Sequence, residues 1–244
     1  MVVFFFFFPE NAAKTIIQVH GNYIEEVDNL SLLEGYMSYV DHIQTVSKDM
    51  KVDLEKILPN ESEKIICIHN ITRPVKNLRK VKSSYKRISI VGSIQKRKNQ
   101  LDAIRMLSCI QDQNVILQIY GHSLKKEYMS RLNLAISNLG LENRVVFKGV
   151  ASEREVYENT DIVVMTSEHE GYPYIFFESA VYSVPIISYD FKYGAKEFSQ
   201  NNENGCLTNM GDYKRMAEIV EELFNNSNLY SKVVNVNQQF FERE

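Results

Sequence analysis

Two glutamates, Glu170 and Glu178, stand eight positions apart in the run TSEHEGYPYIFFESA, residues 166–180. The spacing predicts one on a loop shaped by Gly171 and Pro173 and the other in the first turns of the helix that follows. The start of that helix presents the backbone N–H groups of Tyr174, Ile175 and Phe176 without intrahelical partners. Together with the helix dipole they suit a phosphate or a sugar hydroxyl. A carboxylate beside them accepts hydrogen bonds from hydroxyls. Two carboxylates so spaced could hold two polyol rings while the helix start holds phosphates between them. Two glutamates eight apart also arise by chance, and Glu178 alone could be only a charge near a helix N-terminus. Its neighbours Phe176, Phe177 and Ala180 favour the ligand-binding reading, because a charge in apolar company is costly unless it has a partner.

The second run with chemistry is VGSIQKRKNQLDAI, residues 91–104. A strand ends at Gly92, a short loop through Ser93 follows, and Lys96, Arg97 and Lys98 lead into a helix expected over 97–110. Cations here could neutralise a diphosphate, including one that leaves as a bond breaks. A solvated basic helix start is the plainer alternative, although the macrodipole disfavours cations at that end.

The elements that must position these residues alternate strand and helix, which predicts an α/β architecture with mainly parallel sheets. Strands are expected at Thr15–His20, His42–Ser47 and Lys64–His69, with a capping box at Ser31–Glu34 and a helix over 48–57. Residues 71–86 (ITRPVKNLRKVKSSYK) are polar, basic and proline-bearing, and read as a linker. Strands then follow at Arg87–Gly92, Val115–Gly121, Arg144–Gly149, Asp161–Ser167 and Val184–Asp190. Helices are expected over 125–139, after a second capping box at Ser152–Glu155, over 175–182, near 195–199 and over Asp212–Asn225. These strands are continuous apolar runs, as expected when both faces of a sheet are covered. The organisation is therefore a partial Rossmann-like unit over 1–70, a linker over 71–86, a complete doubly wound domain over 87–228 and a tail helix over 229–244.

Composition narrows the function classes. A net charge of −3 and a pI near 6.0 imply no strongly basic face, so nucleic acid is not an expected partner. Cys67, Cys109 and Cys206 are too far apart for a metal or redox motif and are expected as buried free thiols in a reducing cytosol. Glu168-His169-Glu170 offers no metal site, since adjacent side chains diverge and no second cluster completes one. The apolar run from Val2 to Phe8 is too short to span a bilayer and has no export flanks. It reads either as a buried strand or as the product of a repetitive coding tract. No transmembrane segment is expected. The location implied is the cytoplasm; the basic linker could touch the inner membrane face, and a solvated linker is the plainer reading.

Residues 88–226 resemble the C-terminal domain of family-4 glycosyltransferases. The runs that carry the likeness are VGSIQKRKNQ, LQIYGHS, VVFKGVAS, YENTDIVVMTSEHEGYPYIFFESAVYSVPIISYD and NNENGCLTNMGD. As a set, Glu-x7-Glu followed by Ala and then Pro-Ile-Ile is fairly specific. SYDFKYGAKEF further resembles enzymes that glucosylate wall teichoic acid or serine-rich adhesins. The resemblance implies the two-Rossmann (GT-B) fold and retaining transfer of a hexose from a nucleotide diphosphate, UDP above all, to a glycan, a teichoic-acid-like polymer or a protein. It implies that Glu170 contacts the transferred sugar and Glu178 the ribose. Backbone N–H groups around Tyr172, Tyr174 and Ile175, on the loop that Pro173 shapes, would hold sugar hydroxyls and phosphate, and Lys98 the diphosphate. No cofactor or metal is implied, in keeping with the lack of any Asp-x-Asp pair.

Ser93 departs from the pattern by standing where the family has an arginine, so either Arg97 substitutes or phosphate binding is weaker. TIIQVHGNY resembles the loop that presents a histidine to the donor, here His20; an ordinary loop histidine is the equal alternative. The family would have further chain upstream of the short first unit, whose unpaired sheet edge predicts that residues 1–70 are either mobile or covered by a partner protein. A non-catalytic accessory subunit or a truncated remnant of such an enzyme is therefore the competing functional reading. Epimerisation of a nucleotide sugar is a third.

Overall fold

Short apolar runs become parallel strands here, and the amphipathic runs between them become the helices that cover those strands. The computed structural model describes residues 15–21, 35, 37–199 and 206–243. The phenylalanine run and the Ser31–Glu34 capping box lie outside the described residues. The chain forms two compact units: Met1–Asn70 with His169–Pro173 and Lys192–Glu197, and Ile71–Glu168 with Tyr174–Phe191 and Phe198–Glu244. The basic segment 71–86 thus folds with the second unit, and two short loops from later in the chain fold with the first.

In the first unit, β1 (Ile16–Val19), β2 (His42–Thr45) and β3 (Ile65–Cys67) form a parallel sheet in that order. β2 is central, with Ile17 opposite Ile43 on one side and Ile43 opposite Ile65 on the other. Helix α1 (Lys48–Ile57) begins where the Ser47 hydroxyl accepts the Met50 N–H, and its buried Met50 and Leu54 join Ile17, Ile43 and Ile65 in the core.

The second unit is a six-stranded parallel sheet built from β4 (Lys86–Val91), β5 (Val115–Tyr120), β6 (Val145–Gly149), β7 (Ile162–Met165), β8 (Ile186–Tyr189) and β9 (Cys206–Thr208). Their spatial order is β6-β5-β4-β7-β8-β9. The chain winds outward from β4 in one direction, then returns and winds outward from β7 in the other. β4 and β7 are neighbours, paired at Ile88–Ile162 and Ser89–Val163, and mark the switch point of the sheet. Four strand positions in β7 and four in β8 are all buried, which is why these strands read as uninterrupted apolar runs.

Helices α2 (Gln100–Cys109), α3 (Lys126–Asn138), α4 (Glu153–Glu158), α5 (Tyr174–Val181), α6 (Ala195–Ser199), α7 (Tyr213–Asn225) and α8 (Ser227–Arg243) are the other α-helices among the described residues. The Ser152 hydroxyl caps α4 by accepting from Glu155 N–H, and Asp212 caps α7 by accepting from Arg215 N–H.

Two expectations are corrected. The single helix over 97–110 is broken. Lys96–Lys98 form a 3-10 turn, Asn99 adopts a left-handed conformation (φ 48°), and α2 starts at Gln100. Asparagine tolerates that conformation, and its side-chain amide donates to Asp102 Oδ2 at 2.8 Å. The three cations therefore sit before the helix rather than on its positive end, which removes the conflict with the dipole. The cysteines are free but only partly buried, because Cys67 ends β3, Cys109 ends α2 and Cys206 begins β9.

Candidate functional site

In the second unit, the loops that leave β4 and β7 at the switch point are fastened to each other. The buried Thr166 hydroxyl, one residue beyond β7, reaches the carbonyls of Asn99 (2.8 Å) and Lys98 (3.1 Å). Glu168 N–H donates to the Arg97 carbonyl at 2.9 Å. The cationic turn is therefore held over the carboxyl ends of the two central strands, where doubly wound sheets bind ligands. Gly92 turns the chain out of β4 at φ +136°, a conformation L side chains rarely adopt. A Cβ there would lie 3.3 Å from Lys98 Cε, so the bare glycine gives the lysine stem its resting place. Ser93 is used within the loop: its hydroxyl accepts from Gln95 Nε2 at 2.7 Å and its carbonyl from Gln100 Nε2 at 3.0 Å. Lys98 and Arg97 are half-buried.

Helix α5 starts at Tyr174, so the N–H groups of Tyr174, Ile175 and Phe176 open it ahead of the first intrahelical bond. One side of the helix is anchored by Phe176, whose ring stacks on Phe198 (centroids 4.4 Å apart) and Phe191 (6.0 Å). Tyr174 is half exposed at the open end. Glu178 is half-buried and its Oε2 accepts a 2.7 Å hydrogen bond from the hydroxyl of Tyr157 on α4. Burial pushes the Glu178 carboxyl above its usual range, Tyr157's hydrogen bond acts in the opposite direction, and the nearby Glu153 charge adds to the rise. The carboxylate thus has the partner that its apolar surroundings demand. Nothing in the sequence spacing pointed to Tyr157, which stands 21 residues earlier on another helix.

In the first unit, the strand end after β1 meets the loop 169–173. A Cβ on Gly171 would overlap the His20 carbonyl, so the close backbone approach requires glycine. The His20 ring is exposed, with Nε2 3.2 Å from Gln18 Oε1. Glu170 and Pro173 are half-buried and Tyr172 is buried at 2% exposure. The chain leaving β3 supports this loop: the His69 ring stacks on Tyr172 (5.0 Å), and Asn70 Nδ2 donates to the Tyr172 carbonyl. His69 Nε2 also stands 2.7 Å from Glu197 Oε1, and Lys48 N–H donates to the other Glu197 oxygen at 2.9 Å. His69, Asn70 and Glu197 were not singled out from the sequence, because their partners lie up to 128 residues away.

The predicted residues thus fall into two groups. Gly92, Ser93, Arg97, Lys98, Tyr174, Ile175 and Glu178 belong to the second unit, and His20, Glu170, Gly171, Tyr172 and Pro173 to the first. A separate cleft of about 430 Å³, lined by Lys80, Tyr157, Asp161, Tyr182 and Tyr230 among others, opens where β7 begins rather than where it ends. Among the described residues no group of three or more His, Cys, Asp or Glu side chains could hold a metal ion, and no helix is long and apolar enough to cross a membrane.

Residues 72–240 match the family model described as glycosyl transferases group 1. The chain is 24% identical over 230 residues to poly(ribitol-phosphate) alpha-N-acetylglucosaminyltransferase of Staphylococcus aureus (strain COL), covering 89% of this chain and 45% of that protein. It is 20% identical over 220 residues to poly(glycerol-phosphate) alpha-glucosyltransferase of Bacillus subtilis (strain 168), covering 88% and 31%. The chain therefore spans less than half the length of these curated relatives. Among solved structures, Anabaena Alr3699/HepE in complex with UDP and glucose superposes with a TM-score of 0.83 at 19% identity, covering 93% of this chain and 66% of that one. S. aureus TarM, in a mutant form bound to fondaparinux, alpha-GlcNAc-glycerol and UDP, gives 0.81 at 20% identity, covering 95% and 48%. The fold is the GT-B α/β architecture of those proteins.

Proposed function

The chain belongs to the glycosyl transferases group 1 family, and from that premise we propose that it binds a UDP-linked hexose and moves the hexose to an acceptor with retention at the anomeric carbon. The observation that carries the reading is the pinned pair of switch-point loops, with Lys98 lying on Gly92 and Glu178 held on the helix that begins at Tyr174. A pyrophosphate carries two negative charges or more and needs fixed donors. The Lys98 ammonium and the N–H groups at Tyr174 and Ile175 supply them without a metal ion, and Arg97 takes the place of the missing family arginine at Ser93. Glu178 accepts from the ribose hydroxyls. The family resemblance gives Glu170, with the loop of Gly171, Tyr172 and Pro173, a role toward the hexose, and makes His20, whose backbone meets Gly171, a candidate for the same role. The UDP found in the related Alr3699/HepE and TarM structures supports the choice of base.

Transfer requires the C1–O bond to the diphosphate to break and a C1–O bond to the acceptor to form on the same face. The departing diphosphate oxygen takes the acceptor proton, so the protein contributes position and charge stabilisation rather than a covalent nucleophile. The polyol-phosphate relatives support a phosphate-rich polymer as acceptor, with glycan or protein as the alternatives.

The test is calorimetric UDP binding together with transfer of labelled hexose from UDP-hexose to poly(ribitol phosphate) and poly(glycerol phosphate). Glu170→Ala and Lys98→Ala are each expected to lower transfer by at least about 100-fold, the scale on which removal of a preorganised charge-stabilising group acts. Wild-type rates in both variants overturn the proposal. UDP binding by wild-type chain without transfer or hydrolysis favours a non-catalytic accessory role.

A further inference from the structure

We propose that Tyr157 is a positioning residue of the donor site, holding the Glu178 carboxylate in the one orientation in which it receives the ribose hydroxyls of a bound nucleotide. The inference rests on the donor-site reading above and extends it to a residue that acts through Glu178. A glutamate side chain has three rotatable bonds, and a half-buried one with no tether would sample several directions. Here Oε2 accepts a short charge-assisted bond of 2.7 Å from the Tyr157 hydroxyl, which tethers one oxygen and narrows the directions open to the other.

The hydroxyl is itself immobile. Tyr157 is 1% exposed, and its ring stacks on Tyr182 with centroids 5.0 Å apart and planes 19° apart. The short helix that carries it is fastened at both ends. Ser152 caps its start, Asn159 Nδ2 donates to the Glu155 carbonyl at 2.8 Å, and the buried Thr160 hydroxyl donates to the Val156 carbonyl at 2.6 Å. Arg154 also reaches the carbonyls of Lys76 and Asn77. Burial and the adjacent carboxylate push the Tyr157 hydroxyl well above its usual range, so it remains a donor at any working pH. Its bond also opposes the effect of burial on Glu178 and keeps that group an acceptor.

The experiment measures UDP and 2′,3′-dideoxyuridine diphosphate binding by calorimetry to wild type, Glu178→Met, Tyr157→Phe and the double variant Tyr157→Phe/Glu178→Met. Tyr157→Phe retains the ring that packs on Tyr182, and the double variant leaves neither a buried hydroxyl nor a carboxylate unpaired. Wild type is expected to favour UDP over the dideoxy nucleotide. Tyr157→Phe is expected to lower UDP affinity by roughly tenfold, the scale of one lost hydrogen bond to a charged group, while dideoxy affinity stays within about twofold. The double variant is expected to bind UDP no more weakly than Glu178→Met.

Equal weakening of both nucleotides by Tyr157→Phe, or a loss in the double variant that adds to that of Glu178→Met, overturns the positioning role and leaves the donor site standing. Absence of UDP binding by wild type overturns the donor-site reading and this role with it.

Discussion

The hydroxyl of Thr166 lies 2.8 Å from the carbonyl of Asn99 and 3.1 Å from that of Lys98, joining the end of one central strand to the cationic turn that follows its neighbour. Thr166 is fully buried. Thr166→Val keeps the shape and removes the donor, leaving two carbonyls short of a partner at a cost of about 1–3 kcal/mol. The expected outcome is a lower urea midpoint with unchanged slope, together with weaker UDP binding because Lys98 loses its support. An unchanged affinity would show that the turn holds its place without this bond.

Gly92 and Lys98 are expected to behave as a unit. An alanine at Gly92 would hold a Cβ at φ +136° and crowd the Lys98 stem. The strain is about 1–3 kcal/mol. Gly92→Ala should therefore lower UDP affinity toward the level of Lys98→Ala, and the double variant should be little worse than either single one, since both changes remove the same contact. Full additivity in calorimetric titration would contradict the geometry.

The Glu178 carboxyl sits above its usual range because of burial, so the carboxylate is lost at a higher pH than an ordinary glutamate as the solution is acidified. On the proposed reading a ribose hydroxyl then loses its acceptor. UDP affinity is expected to decline on acidification at a higher pH than it would with an exposed glutamate in that place. Protonation of the diphosphate itself contributes to the same limb, so the relevant quantity is the difference between wild type and Glu178→Gln. That difference should vanish at low pH and grow as pH rises. Tyr157→Phe should move its midpoint further upward, because the hydrogen bond that opposes burial is removed. For stability the sign is opposite: a raised carboxyl contributes most below its unfolded pKa, and its contribution is lost as pH climbs through the folded value.

Arg87 and Asp161 form a two-pronged pair at the start of the central strands, with Nη2–Oδ1 at 2.9 Å and Nε–Oδ2 at 3.1 Å, and the Arg87 side chain only 6% exposed. Asp161→Asn leaves the guanidinium in a dry setting and should cost about 3–5 kcal/mol in chemical unfolding. Because the pair lies where β4 and β7 begin rather than where they end, UDP affinity of the folded fraction should stay near wild type. A large loss of affinity would mean that the strand starts and ends are coupled.

Gly171 is required by the backbone of His20. Gly171→Ala should force the 169–173 loop away from the end of β1, so hexose transfer is expected to fall far more than UDP binding does. The measurement is the ratio of transfer rate to UDP affinity, set beside the same ratio for Lys98→Ala, in which both should fall.

Much of the second unit was legible because its strands are short apolar runs bounded by turn residues, and because the alternation of strands and helices admits few topologies. The pieces proposed to carry chemistry, Gly92 with the cationic turn and the Glu170–Glu178 stretch, were visible as local runs for the same reason. The break at Asn99 was less visible: a run of three cations followed by Asn-Gln reads as a helix start, and only the Asn99–Asp102 hydrogen bond and the hold of Thr166 reveal a separate turn. Ser93 read as a departure from the family pattern, with either Arg97 substituting or phosphate binding weakened, and the structure adds that its hydroxyl accepts from Gln95.

The sequence alone determined which loops leave the carboxyl ends of strands and which charges they bear, since strand period, turn residues and helix starts are fixed by neighbours in the chain. The tertiary structure decided which of those charges have partners. Tyr157 meets Glu178 from another helix, Thr166 grips a turn 68 residues earlier, and Glu197 meets His69 across 128 residues. Such pairings come from the packing of helices and loops onto their sheets, and no local pattern encodes a hydrogen bond between residues so far apart.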